Sequence, residues 1–148
     1  MKKLFALAVF AAALFTVGQS SVFAQKELAI SAIQGDGIAS AYERQQVKTS
    51  GVVTARRRDG FFLQTPDGKD DKNPKTSEGI YVFTKDAPSA DAAIGSLISI
   101  TGQVQEFRPR AANGATLPIT EISMFADRDK IQILEKSVPL PKPVEITA

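Results

Sequence analysis

The chain has 148 residues, with 18 lysines and arginines, 16 aspartates and glutamates, no cysteine and no histidine. The lack of histidine excludes histidine-based acid–base catalysis, serine–histidine triads and imidazole metal sites. The nearly balanced charge gives no general attraction for a polyanion, so nucleic-acid binding needs a local basic patch. Without cysteine, the fold must be held together by packing and not by disulfides.

The first residues are typical of an export signal. Lys2 and Lys3 precede the apolar run LFALAVFAAALFTV, and the sequence VFA that ends at Ala24 suits a signal peptidase. The run is too short for a permanent membrane span. We therefore expect residues 1–24 to be a signal peptide and the protein to be exported, to a periplasm or out of the cell. After cleavage we expect no membrane association and equal numbers of basic and acidic residues.

The first part of the mature chain predicts one strand and a hairpin. Residues 28–43 begin with a short apolar stretch and run into a glycine-rich turn. Residues 46–55 predict the first strand, in which Gly51 marks a bulge or sharp bend. Asp59 and Gly60 indicate a tight turn into the second strand.

Residues 60–84 are the most informative segment, because two aromatic arms flank a long acidic loop that also contains lysines. Both arms alternate with a period of two, which predicts the second strand and a third strand at residues 79–84. One face carries Phe61, Leu63, Ile80 and Val82, and the other carries Phe62, Gln64, Tyr81 and Phe83. Since rings occur on the second face too, that face is either covered or presents its rings to a partner.

The next stretch predicts a helical turn and a long strand. Residues 85–95 are the only segment beyond the signal with a helical pattern, a single turn capped by Ser89 and stopped by Gly95. Residues 97–107 alternate strongly and predict the fourth strand, which Gly102 interrupts in its middle.

Residues 117–125 and 131–134 predict a fifth strand and a short terminal strand. The order of three strands, one short helix and two strands predicts an all-β fold. Specifically, we expect a five-stranded Greek-key OB-fold barrel with one short helix between strands 3 and 4. A small β-sandwich is the alternative.

The mature chain divides into a domain and a tail. We assign residues 25–136 to the OB-fold domain. Residues 137–148 contain three alternating prolines, which favour extended polyproline geometry and predict a Pro-rich C-terminal linker. The segment PLPKP has a PxxP-like spacing, but a linker is the simpler interpretation.

Five segments of the chain match a known pattern in the right order: AISAIQGDGIAS, VKTSGVVTARRRDGFFLQTPDG, TSEGIYVFT, ITGQVQEFRP and TEI. Together they resemble the OB-like module of bacterial secreted extracellular nucleases, over about residues 28–146. In those proteins the module precedes a catalytic domain of the endonuclease/exonuclease/phosphatase superfamily. That domain relies on histidine, aspartate, asparagine and a metal-binding glutamate, whereas this sequence has no histidine and stops in the linker. The resemblance therefore implies an accessory module that is not an enzyme on its own residues.

Arginines on both sides of the aromatic strands predict a nucleic-acid site. In an OB barrel, the loops after strands 1 and 4 flank the face of strands 2 and 3. Arginines in those loops suit phosphates, and bases that stack on the rings gain about 1–3 kcal/mol each. The candidate residues are Arg56, Arg57, Arg58, Phe62, Gln64, Tyr81, Phe83, Arg108 and Arg110. The alternative is that the arginines are only solvated and the rings pack under the 66–78 loop or the N-terminal segment.

The acidic loop between the aromatic arms suggests a metal site only weakly. An EF-hand-like alignment starting at Asp67 places its other ligands at Asp71, Asn73 and Glu78. Lys69 and Lys72 then occupy ligand position three and the required glycine position, so a solvated loop is favoured. Asp67, Asp70 and Asp71 lack a positioned partner for hydrolysis. We expect no metal and no cofactor.

Three functions remain. The first is an exported module that binds single-stranded nucleic acid, DNA or RNA, through the face of strands 2 and 3. The second is a protein-interaction or structural module, a truncated nuclease whose OB face docks a nuclease catalytic domain. The third, an enzyme in its own right, has the least support. A monomer is expected, and the fold alone does not decide, since OB barrels also bind oligosaccharides.

Overall fold

The computed structural model of the protein describes residues 27–109, 116–125 and 128–143. The elements in chain order are α1 (Ile30–Gln34), β1 (Gln46–Arg57), β2 (Gly60–Gln64), β3 (Gly79–Phe83), a 3₁₀ helix (Ala90–Ala92), β4 (Leu97–Phe107), β5 (Ile119–Ser123) and β6 (Ile131–Glu135). Within these ranges, none of the helices has the length and apolar character needed to cross a membrane. The predicted signal peptide at residues 1–24 and the last residues of the predicted linker, 144–148, lie outside them.

Five strands close into a barrel in the order β1-β2-β3-β5-β4, because β1 pairs with β4 as well as with β2. The neighbouring strands are antiparallel except β3 and β5, which run parallel with Tyr81 opposite Glu121. This order confirms the predicted Greek-key barrel of the OB-fold class. β6 pairs with the first part of β4, along the edge that β5 leaves open.

The barrel interior is filled by the inward-facing side chains of every strand. The predicted alternation is confirmed, because Phe61, Leu63, Ile80 and Val82 are buried in the core. The other fully buried core side chains of the strands include Val53, Ile98, Ile100, Val104 and Ile122. Removing such a side chain from water contributes about 1.5–3 kcal/mol, so this cluster carries the fold without disulfides.

Helix α1 covers one end of the barrel and was not predicted. Ile30 and Ile33 are completely buried against the core, and the Gln34 amide donates a hydrogen bond to the Gly79 carbonyl at 2.7 Å. The expectation that residues 85–95 hold the only helix beyond the signal was therefore wrong. A five-residue helix is too short to show a helical period, and its stability comes from the burial of two isoleucines.

The predicted short helix between strands 3 and 4 is confirmed as a 3₁₀ turn at Ala90–Ala92. Its cap differs from the prediction, because the side chain of Ser89 makes no capping hydrogen bond. Gly95 ends the turn with a φ of +80°, a conformation that favours glycine.

The two strand glycines allow close packing, and strand pairing continues through both positions. The register of β1 shifts between Val53 and Ala55, whereas Gly51 pairs regularly with Ile98. β4 continues through Gly102, where a Cβ atom would lie 2.4 Å from Cγ2 of Ile122. The predicted bulge at Gly51 and the interruption at Gly102 were wrong. At position 102 a side chain would collide with Ile122 on the neighbouring strand β5.

The described part of the predicted linker lies against the barrel. The Val138 amide donates to the Gly95 carbonyl at 2.8 Å, and the Lys142 amide donates to the Asp67 carboxylate at 3.0 Å. Residues 138–142 thus bridge the turn before β4 and the loop after β2.

Candidate nucleic-acid interface

The outward side chains of β2, β3, β5 and β4 form one surface, which we call the aromatic face. Phe62 and Tyr81 are opposite each other on β2 and β3, with ring centroids 4.9 Å apart and planes at 49°. Phe62 is 37% exposed, and Tyr81 and Phe83 are half-buried. All three rings therefore remain open to contact from outside.

A groove of about 380 Å³ crosses this face. We call it the aromatic groove, and its lining residues are Arg57, Asp59, Phe62, Tyr81, Phe83, Gln105, Phe107, Ile119 and Glu121. Arg57, Phe62, Tyr81 and Phe83 were among the candidate residues. A second hollow of about 310 Å³ shares Phe62 and Tyr81 and includes the candidate Gln64. The aromatic candidates on β2 and β3 are thus brought together.

The hairpin end of the groove is held by a polar contact to Tyr81. Its hydroxyl donates a hydrogen bond to the Asp59 carboxylate at 2.9 Å. The Arg57 guanidinium lies 5.8 Å from the Tyr81 ring centroid, and its Nε lies 3.9 Å from the same carboxylate. Burial, and then Asp59, raise the pKa of Tyr81 to about 12. The hydroxyl therefore stays protonated at neutral pH.

Gly60 makes room for the Tyr81 ring. A Cβ atom at position 60 would lie 2.4 Å from the Tyr81 hydroxyl oxygen and 2.2 Å from the Val82 carbonyl oxygen. The predicted hairpin is confirmed, since Arg57 pairs with Gly60 around a two-residue turn. Gly60 itself is a strand residue, and its missing side chain lets the tyrosine lie across β2.

Glu121 lies in the middle of the groove lining and was not a candidate. It is only 6% exposed although it points outward, and its neighbours across the sheet are Tyr81 and Gln105. No hydrogen bond or ion pair reaches its carboxylate from residues 27–109, 116–125 or 128–143. Burial, and then the negative charge of Asp59, raise the pKa of this carboxyl above its usual range.

The candidate arginines do not all lie in the groove. Arg57 lines it, whereas Arg56 donates a hydrogen bond to the Pro88 carbonyl at 2.6 Å. Successive residues of a strand point to opposite faces, so these two arginines cannot share one face. Arg58 is exposed in the hairpin turn, Arg108 is exposed just after β4, and Arg110 lies outside the described residues.

The charges are arranged differently at the centre and at the rim. Among the described residues, the groove lining carries the two carboxylates of Asp59 and Glu121 and one cation, Arg57. Arg58 and Arg108 lie beyond the lining, in the segments that leave β1 and β4. The centre of the groove therefore offers rings and hydrogen-bond acceptors, and positive charge is found at its periphery.

The loop between β2 and β3 is held by hydrogen bonds around Asp71, although one buried oxygen of Glu78 has no hydrogen-bond partner among the described residues. The Asp71 carboxylate accepts hydrogen bonds from the Asn73 amide at 2.8 Å and from the Thr76 hydroxyl, and the Asp71 amide donates to Glu78. The Asn73 amide is the main reason that the pKa of Asp71 lies below its usual value. Where the chain is described, no three histidine, cysteine or acidic side chains gather in a way that could hold a metal.

Comparison with known proteins adds little to this geometry. No protein-family model matches the sequence, and no curated protein matches it. One solved structure with partial similarity is a provisionally assigned aspartyl-tRNA synthetase from Leishmania major Friedlin, at 13% identity and a TM-score of 0.44. The match covers 82% of this chain and 23% of that protein's chain. This likeness is too distant to support the fold, which is established by the strand order.

Proposed function

We propose that the protein is an exported OB-fold module, related to the accessory module of extracellular nucleases, that binds single-stranded nucleic acid in the aromatic groove without catalysing a reaction. The observation that carries the proposal is the Phe62–Tyr81 ring pair, partly exposed on the face that OB folds use for oligonucleotides. Export is part of the proposal because of the signal-like sequence before Gln25.

The rings suit stacking because they are mounted on neighbouring strands and not on loops. Tyr81 is fixed by its bond to Asp59 and by the close fit over Gly60. A base that stacks on such a platform gains about 1–3 kcal/mol, and a prepositioned platform loses little conformational entropy. Two or three stacked bases then give measurable affinity without strong charge attraction.

Phosphate contacts come from the rim in this arrangement. Arg57, Arg58 and Arg108 are the cations of the described residues that belong to the groove or to the segments beside it. Releasing counterions at three phosphates of a single strand gives a slope of about −2 in log affinity against log salt. The expected affinity is thus moderate and only mildly sensitive to salt.

Fluorescence anisotropy with labelled oligothymidylate of about twelve nucleotides tests the proposal, since one OB fold contacts about 4–16 nucleotides. We expect Phe62→Ala to weaken binding by about tenfold, because one stacking partner is lost. Phe125→Ala is the matched control: Phe125 is 42% exposed, compared with 37% for Phe62, and does not line the groove.

The charge contribution is tested by a second pair of variants. Replacing Arg57 and Arg58 by alanine should weaken binding and make the slope of log affinity against log salt shallower by about 1.4. Arg44→Ala is the control, because Arg44 is exposed and lies outside the groove. The proposal fails if no oligonucleotide binds at low salt, or if Phe62→Ala and Phe125→Ala bind equally well.

Docking of a protein is the second candidate, and one observation favours it. Phe107 and Ile119 are each 49% exposed and extend the ring surface of the groove with apolar side chains. Such a surface also suits a protein partner, for example a nuclease catalytic domain. In that case the labelled oligonucleotides do not bind, and a purified catalytic domain of a secreted nuclease co-sediments with the protein. The variants Phe107→Ala and Ile119→Ala should abolish this co-sedimentation.

A further inference from the structure

The groove contains a hydrogen-bonding pair that stacking and phosphate contacts do not use. Glu121 on β5 and Gln105 on β4 are direct cross-strand partners, and both line the aromatic groove. Side chains paired in this way have Cβ atoms about 4.5–5.5 Å apart, so their polar ends reach one ligand edge. In the part of the chain that the structure describes, no hydrogen bond involves either polar group.

Glu121 presents a carboxylate to any ligand that enters the aromatic groove. The residue is only 6% exposed, and none of the residues that the structure describes forms an ion pair with its carboxylate. Because Glu121 lines the aromatic groove, a donor that arrives with a ligand can reach its carboxylate. The carboxylate accepts at two oxygens, and the Gln105 amide can donate and accept.

Resting on the proposed function, we propose that Glu121 and Gln105 select guanine among the bases of a bound single strand. The Watson–Crick edge of guanine presents two adjacent donors, N1–H and the N2 amino group, beside the acceptor O6. A carboxylate can accept from both donors while the neighbouring amide donates to O6. The other bases place an acceptor next to their donor, which would face the carboxylate unfavourably.

The position of the pair supports recognition of a base that is already stacked. Glu121 is opposite Tyr81, whose ring contacts that of Phe62 on the next strand. Single-stranded recognition commonly combines such stacking with hydrogen bonds to the Watson–Crick edge. The aromatic pair thus supplies affinity for any base, and the Glu121–Gln105 pair supplies the preference for guanine.

The test compares oligothymidylates that differ at one internal position, which is thymidine, adenosine, cytidine, guanosine or inosine. Inosine keeps N1–H and O6 and lacks the N2 amino group. We expect the guanosine strand to bind about tenfold more tightly than the others, since a bidentate base contact discriminates by roughly that factor or more. The inosine strand should lie between guanosine and thymidine. Guanosine monophosphate alone should compete only at much higher concentration, because it lacks the neighbouring stacked bases.

The variant Glu121→Gln should reduce the ratio of guanosine to thymidine affinity to about one, because the amide cannot accept at both atoms. Glu135→Gln, at an exposed position on β6, should keep the ratio of the unchanged protein. The inference is overturned if all strands bind alike, or if Glu121→Gln tightens every strand by the same factor and keeps the ratio. It is also overturned if the monophosphate competes as well as the strand. In each of these cases oligothymidylate binding that depends on Phe62 still supports the proposed function, whereas the absence of any binding removes both.

Discussion

Replacing Gly60 by alanine should destabilise the protein strongly although it adds only one methyl group. The new Cβ atom would lie 2.2 Å from the Val82 carbonyl oxygen and 2.4 Å from the Tyr81 hydroxyl oxygen. Real Cβ contacts are longer than 3 Å, so both the ring and the backbone of β3 must move. Moving the ring also strains its hydrogen bond to Asp59.

The cost can be estimated from this geometry. Overpacking a tight site costs about 1–3 kcal/mol, and we expect the upper half of that range because one of the colliding atoms belongs to the backbone. For a domain of this size, about 2–3 kcal/mol corresponds to a decrease in Tm of about 8–12 °C. Thermal unfolding followed by circular dichroism measures the change.

Gly79→Ala is the matched control. Gly79 lies at the other end of the same β2–β3 ladder, and its nearest atom to an added Cβ is the Leu63 carbonyl oxygen at 3.8 Å. Because the contact is ordinary, we expect no loss, or a gain of up to about 1 kcal/mol from the reduced freedom of the unfolded chain. A Tm of Gly60→Ala within about 2 °C of the unchanged protein, or equal losses in the two variants, would refute the steric explanation.

Three further predictions concern the core and the groove. Phe61→Ala should lower the free energy of unfolding by about 3–5 kcal/mol and Phe62→Ala by about 1 kcal/mol, because only the Phe61 ring is fully buried. Urea titrations of the two variants measure these losses, and equal losses would contradict the assigned faces. With a folded pKa of about 12 for Tyr81 and an ordinary value near 10, stability should be intact below pH 10 and fall as the pH rises to 12. The variant Tyr81→Phe should lack this part of the fall, and identical pH profiles of stability for the two proteins would contradict it. Because the pKa of Glu121 is higher in the folded than in the unfolded protein, ionisation of this carboxyl destabilises the fold as the pH rises. Glu121→Gln should therefore raise the Tm at pH 7 and change it little at acidic pH. A lower Tm of the variant at pH 7 would show that the carboxylate has a partner.

The sequence was sufficient to predict the strands because their faces differ so clearly. The alternation of Phe61 and Leu63 with Phe62 and Gln64 places the two rings on opposite faces of the sheet. The strand order followed from the position of the short helix between the third and fourth strands. Helix α1 was missed because two isoleucines in five residues give no period, and only the barrel end explains their burial.

The centre of the site could not be predicted in the same way. Glu121 alternates with Thr120 and Ile122 like a solvated strand residue, and its burial arises from side chains on β3 and β4 that are distant in sequence. Phe107 and Ile119 join the groove for the same reason, through the pairing of β4 with β5. The separation of Arg56 from Arg57 was missed because the first strand was predicted to end at residue 55, which put both arginines in a loop. β1 in fact continues to Arg57, so the two side chains alternate between its faces.

Because the aromatic groove crosses the parallel pair of β3 and β5, it forms only when the barrel is completely folded. Tyr81 and Glu121 become neighbours only when two segments that are remote in sequence join and shut the barrel. A partly assembled chain therefore lacks the recognition surface, and any compound that occupies it must favour the fully closed state. At a concentration one hundred times its dissociation constant, such a compound would add about 2.7 kcal/mol to the stability of the protein.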